Sequence, residues 1–75
     1  MWYFDSPLCV IRIYLDSSTR KYCLEILDDC IGQYPTADSA ADDIAMFTTG
    51  LDEWDSLYGS FEPPIDLSEW SFFSK

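Results

Sequence analysis

Carboxylates are the only abundant reactive groups in this 75-residue chain, which has fourteen Asp and Glu against four Lys and Arg and no His. Three groupings bring them close in sequence. Asp38 and Asp42 stand one turn apart if the segment is helical, with Asp43 beside them; Asp28 and Asp29 share a turn; Asp52, Glu53 and Asp55 crowd a third stretch. Paired carboxylates perform general acid–base work when one of them is desolvated in a cleft. A chain this short has little mass from which to build a cleft around a sugar. The absence of His also removes the usual base for a Ser or Cys nucleophile, so the residue set argues against an enzyme.

Hard divalent cations take oxygen ligands, and Asp52-Glu53-Trp54-Asp55 could supply three carboxylates. A calcium loop of the EF-hand kind needs acids at alternating positions, a central Gly and a final Glu, and this run has a different form. Cys9, Cys23 and Cys30 lack the fourth Cys or the His of a zinc site. Their odd number, without C-x-x-C spacing, is not that of a secreted disulfide framework, and Cys9 and Cys23 are expected to fill space between paired strands. Ile31-Gly32-Gln33-Tyr34 has a single Gly and no Lys, so it is not a phosphate-binding loop. A bulge or a close backbone approach is the expectation at Gly32. No metal and no cofactor is expected.

The elements that must carry these residues form one domain, 1–75, of α+β class. Residues 8–34 predict a three-stranded antiparallel sheet. In Leu8–Leu15 the residues Cys9, Ile11, Ile13 and Leu15 alternate with Val10, Arg12 and Tyr14, a β-branched run of period two. Asp16-Ser-Ser-Thr-Arg20 is turn chemistry. Lys21–Leu27 resumes the alternation, with Tyr22, Leu24 and Ile26 on one side. Asp28-Asp29-Cys30 turns the chain again, and Ile31–Tyr34 is a third strand that Pro35 ends. The opening Met-Trp-Tyr-Phe-Asp-Ser-Pro reads as an extended lead-in.

The main helix is expected over 36–50, with Thr36 as N-cap and Gly50 left-handed just past its end. Ala37, Ala41, Ile44, Ala45 and Thr48 fall on one side, and Asp38, Asp42 and Thr49 roughly opposite. Packing the alanine face on the sheet gives β-β-β-α. Residues 51–75 form an acidic, aromatic C-terminal segment. Leu51, Trp54, Leu57 and Tyr58 suggest a short second helix closed by Gly59, Asp66-Leu-Ser-Glu69 has capping-box spacing, and Trp70, Phe72 and Phe73 either close over the sheet or stay free of it.

Charge is distributed unevenly. The net charge is -10, yet residues 1–21 hold Arg12, Arg20 and Lys21 against two acids, and residues 22–74 hold twelve acids and no base. Self-repulsion of this kind costs stability and exceeds what solubility needs. Asp42 and Asp43 have no Lys or Arg at i+4, and like charges four apart on a helix repel. Direct nucleic-acid binding is disfavoured for want of Lys and Arg to displace counterions. No apolar run approaches the ~20 residues of a membrane span, and no basic, then apolar, leader opens the chain; the expected location is the cytoplasm.

The clusters Asp28-Asp29, Asp42-Asp43 and Asp52-Glu53-Trp54-Asp55, in a chain of this size, resemble those of small acidic inhibitors encoded by phages and mobile elements, the DNA mimics of the anti-CRISPR and anti-restriction classes. The resemblance covers residues 22–74 and includes no diagnostic motif. It implies a non-enzymatic protein whose carboxylates stand in for phosphates on a basic, nucleic-acid-binding protein, in the host cytoplasm if phage-encoded. Asp28, Asp29, Asp38, Asp42, Asp43, Asp52, Glu53 and Asp55 are the expected contacts, with Trp54 and Tyr58 as aromatic anchors. The alternative is a small interaction subunit, antitoxin-like or a homodimer, that assembles through its aromatic C-terminal segment.

Overall fold

A computed structural model describes residues 1–74. The elements run β1 (Trp2–Asp5), β2 (Val10–Asp16), β3 (Lys21–Ile26), β4 (Asp29–Tyr34), α1 (Ala37–Met46), α2 (Asp52–Asp55), a 3-10 turn (Leu67–Glu69) and β5 (Ser71–Phe72). The class is α+β, but among the described residues the sheet has five antiparallel strands in the order β4-β3-β2-β1-β5, which corrects the three expected.

Both added strands come from the chain's aromatic ends. The Trp2–Asp5 stretch alternates like the strand beside it: Trp2 and Phe4 lie opposite Ile13 and Ile11, while Tyr3 lies opposite Arg12 on the other face. Ser6 makes the reversal into β2. Its backbone N–H donates to Cys9 O at 3.0 Å, and its hydroxyl accepts from the N–H groups of Leu8 and Cys9 at 3.2 and 3.0 Å. Ser-Pro at the head of a turn is favoured because Pro7 presets its own φ. At the far end β5 pairs with β1, Trp2 opposite Phe72. Met1 and Phe73 then exchange two hydrogen bonds, of 2.9 and 2.8 Å, through their backbone groups.

The central hairpins follow their turn chemistry. Asp16 Oδ1 accepts from Ser18 N and Ser18 Oγ at 3.0 and 2.7 Å, which holds the β2–β3 reversal and lowers the Asp16 pKa, the Ser18 hydroxyl being the larger cause. Between β3 and β4, Leu27 and Asp28 both take positive φ, 54° and 65°, the conformation whose twist matches a two-residue hairpin. The β3–β4 register shifts at Leu24/Glu25, so Gly32 lies beside a bulge. A Cβ on Gly32 would come within 3.3 Å of the Tyr34 ring.

One face of the sheet is covered. Ile11, Ile13, Leu24 and Ile26 are fully buried there beneath Ala37, Ala40, Ala41 and Ile44 of α1. Alanines on the contact face let the helix sit close to the strands. Thr36 caps α1, its hydroxyl accepting from Ser39 N at 3.1 Å. The helix ends earlier than the glycine suggests. Phe47, at φ 55°, is the left-handed residue, and Thr48 N reaches back to Asp43 O at 3.0 Å. A non-glycine residue in that conformation costs about 1–2 kcal/mol. The burial of Phe47, stacked on Trp54 at 5.2 Å and 11°, offsets the cost. Thr48 is therefore exposed, and Ala40 takes its expected place in the buried set.

Candidate functional site

α1, α2 and the 3-10 turn make a second layer over the covered face of the sheet. Residues 36–70 hold nine acids and no base: Asp38, Asp42, Asp43, Asp52, Glu53, Asp55, Glu62, Asp66 and Glu69. All but Asp43 and Asp55 are exposed. Among the described residues no three Cys, Asp or Glu side chains converge to hold a metal ion.

The ten residues expected at a partner contact separate into four groups. Asp38 and Asp42 lie exposed on the outer face of α1, and Asp52 and Glu53 are exposed on α2. Asp28 and Asp29 are exposed at the β3–β4 turn, where Asp28 stands 3.9 Å from an Arg12 nitrogen. That turn joins two strands of the sheet.

Asp43 and Asp55 have structural partners. Asp43 accepts the Tyr34 hydroxyl at 2.7 Å and the Thr48 hydroxyl at 3.2 Å. Burial is the main reason the Tyr34 phenol's pKa is pushed up, with the hydrogen bond to Asp43 and the charges of Asp43 and Asp55 adding to it. Asp55 gathers the loop before α2. Thr49 N and Thr49 Oγ1 donate to one carboxylate oxygen at 3.0 and 2.8 Å, and Gly50 N to the other at 2.9 Å. Gly50 does take positive φ, 89°, within that loop rather than at the helix end.

The aromatic anchors divide. Trp54 is 0% exposed, so its expected place at a contact surface is corrected to one in the core. Its ring stacks on Phe47 and meets Phe4 and Phe61 edge-on, and its indole N–H donates to Ile44 O at 3.2 Å. Tyr58 is 77% exposed, with its ring edge-on to Phe47. The C-terminal segment is largely tied into this chain's own fold. Trp70 is buried against Phe4, while Phe72 and Phe73 remain more than half exposed.

The opposite sheet face carries the cationic side chain that is paired. Arg12 bonds Glu25 at 2.8 Å, across the β2–β3 ladder, and Arg20 and Lys21 make no ion pair among the described residues. Cys23 and Cys30 are joined as a disulfide across β3 and β4 on that face. Cys23 is buried as a space-filling residue would be, but the bond to Cys30 corrects the expectation of independent thiols; Cys9 is free.

Sequence reasoning missed Phe47, Glu62 and Ile65, which with Tyr58 and Phe61 line a cavity at the end of α1. The signal was the recurrence of rings beyond Gly50, read as a surface feature without its partner Phe47. No described helix is long and apolar enough to cross a membrane. Comparison with known proteins identifies no relative: no family model, no curated protein and no solved structure matches this chain.

Proposed function

We propose that this protein binds, without turnover, a basic nucleic-acid-binding protein in the cytoplasm and competes there with the nucleic acid, in the manner of a DNA mimic. The observation that carries the reading is the segregation of charge along the chain: seven exposed acids and no base in residues 36–70. Asp38 and Asp42 stand about 6 Å apart along the helix axis, on the several-ångström scale at which duplex phosphates recur. Asp52 and Glu53 extend the anionic set beyond α1, and Asp28 and Asp29 would contact only a partner that also reaches the sheet edge. Association steered by such a surface is fast and weakens as salt shortens the Debye length.

The test is capture of partners from host lysate by the intact chain, followed by titration of the partner identified by mass spectrometry. A basic protein that is released by about 0.5 M salt, displaced by duplex DNA or RNA, and lost on Asp38→Lys with Asp42→Lys is the expected result. Capture that ignores both salt and the double substitution refutes the reading. Exposure of Phe72 and Phe73 favours self-assembly as the second reading; a concentration-dependent dimer in sedimentation, abolished by Phe72→Ser with Phe73→Ser, would support it.

A further inference from the structure

The cavity at the C-terminal end of α1 is chemically unlike the rest of the acidic layer. It measures about 490 Å³ and is walled by Phe47, Tyr58, Phe61, Glu62, Pro63 and Ile65. Phe47 meets Tyr58 at 90° and Phe61 at 81°, with ring centres 5.7 and 6.0 Å away, so the aromatic walls form a corner rather than a flat stack. Trp54, stacked behind Phe47 and edge-on to Phe61, fixes that corner from the core side. Gly59, at φ 85°, turns the chain between Tyr58 and Phe61. Tyr58 and Ile65 are 77% and 73% exposed, an unusual investment of apolar surface on a small protein.

Three independent features favour a cation there. The rings carry negative π faces, which attract ammonium and guanidinium groups. Glu62 is exposed and forms no ion pair among the described residues. The cavity begins at the C-cap of α1, where the helix dipole places about half a negative charge, and no basic residue occupies the last turn to offset it. A purely apolar occupant would use the rings and gain nothing from the other two, and an anion would be repelled by Glu62 and by the helix end. A cationic head on an aliphatic stem uses every wall, with the stem against Pro63 and Ile65.

We propose that this cavity receives one Lys or Arg side chain of the protein partner and so sets the register of the acidic layer on it. The proposal rests on the reading that the partner is basic, and it is tested without that partner. Ring and methyl NMR resonances of the intact chain are followed during addition of n-butylammonium chloride, with sodium chloride at matched ionic strength and butan-1-ol as controls. Saturable shifts confined to Tyr58, Phe61 and Ile65 are expected from the ammonium and not from butan-1-ol. Tyr58→Ala should weaken binding roughly 2- to 30-fold and Glu62→Gln roughly 1.5- to 5-fold, both at exposed positions, whereas Asp5→Asn, exposed on β1, should leave it unchanged.

Equal shifts with butan-1-ol, or ammonium shifts that persist in Tyr58→Ala, overturn the assignment. The two readings fail separately. Selective ammonium binding alongside partner capture that ignores salt and Asp42→Lys keeps the cavity and removes the mimic, and salt-sensitive capture without ammonium shifts does the reverse.

Discussion

Replacing Asp42 by Lys should make this protein more stable and a poorer binder at once. Asp42 is exposed in the middle of α1, four residues after Asp38, and neither carboxylate has a cationic neighbour among the described residues. A like-charged pair at that spacing costs about 0.2–0.5 kcal/mol, and an acid followed by Lys at i+4 gains a similar amount. Lys is also the better helix former by a few tenths of a kcal/mol. The sum is about 1 kcal/mol, which for a domain of this size raises Tm by roughly 4–8 °C. Calorimetry at low ionic strength reads the whole effect. In about 1 M salt the Debye length falls to ~3 Å, so the pair contribution fades and the propensity gain stays. Partner affinity should fall in the same variant. A lower Tm would refute the account of α1 as strained by its own charge, and unchanged affinity would refute the role given to its outer face.

Asp55→Ala should destabilise by about 2 kcal/mol, since a carboxylate accepting three hydrogen bonds is lost; Asp52→Ala, with an exposed carboxylate, should stay within about 0.5 kcal/mol in urea titration. Trp54→Phe should cost more than Trp70→Phe, because the Trp54 indole N–H bonds Ile44 O whereas that of Trp70 is buried without an acceptor among the described residues. Tyr34 has a raised pKa in the folded state, so its contribution to stability is complete below its unfolded pKa near 10 and is lost as pH rises above it. Chemical denaturation followed between pH 8 and pH 11.5 should show that loss in the parent chain and less of it in Tyr34→Phe.

Local patterns were legible and distant partners were not. The alternation through Ile11, Ile13, Leu24 and Ile26 identifies the central hairpin because period two is a property of each strand alone. Thr36 likewise marks its helix start by a contact three residues away. β1 alternates too and pairs locally with β2, but four residues ahead of Ser6-Pro7 are too short a run to separate a strand from an extended lead-in, while its second partner β5 lies some seventy residues later and leaves no local trace. Trp54 was misplaced because Asp52, Glu53 and Asp55 surround it with charge; its spacing from Leu51 and Leu57 pointed inward instead. The end of α1 at Phe47 depended on a stacking partner that only the tertiary structure supplies. The Cys23–Cys30 bond was hidden by the odd cysteine count, which says nothing about which two meet across a bulged hairpin.

The narrow seam between β1 and β5 bears on how the chain reaches this state. Strands β1 to β4 are joined by short reversals, and hairpins of that kind close within microseconds. β5 joins by a short ladder, Trp2 with Phe72 and Tyr3 with Ser71, extended by the Met1–Phe73 backbone bonds. Bringing those ends together costs loop entropy that grows with the logarithm of the intervening length, and so few contacts repay little of it until Trp70 is seated against Phe4. The expected order is that the sheet and α1 assemble first and β5 pairs last, which pulsed hydrogen exchange would show as later protection of Trp2 and Phe72 than of Ile13 and Leu24. Opening of that seam would release the chain's last residues while leaving Phe61 held against Phe47 and Trp54.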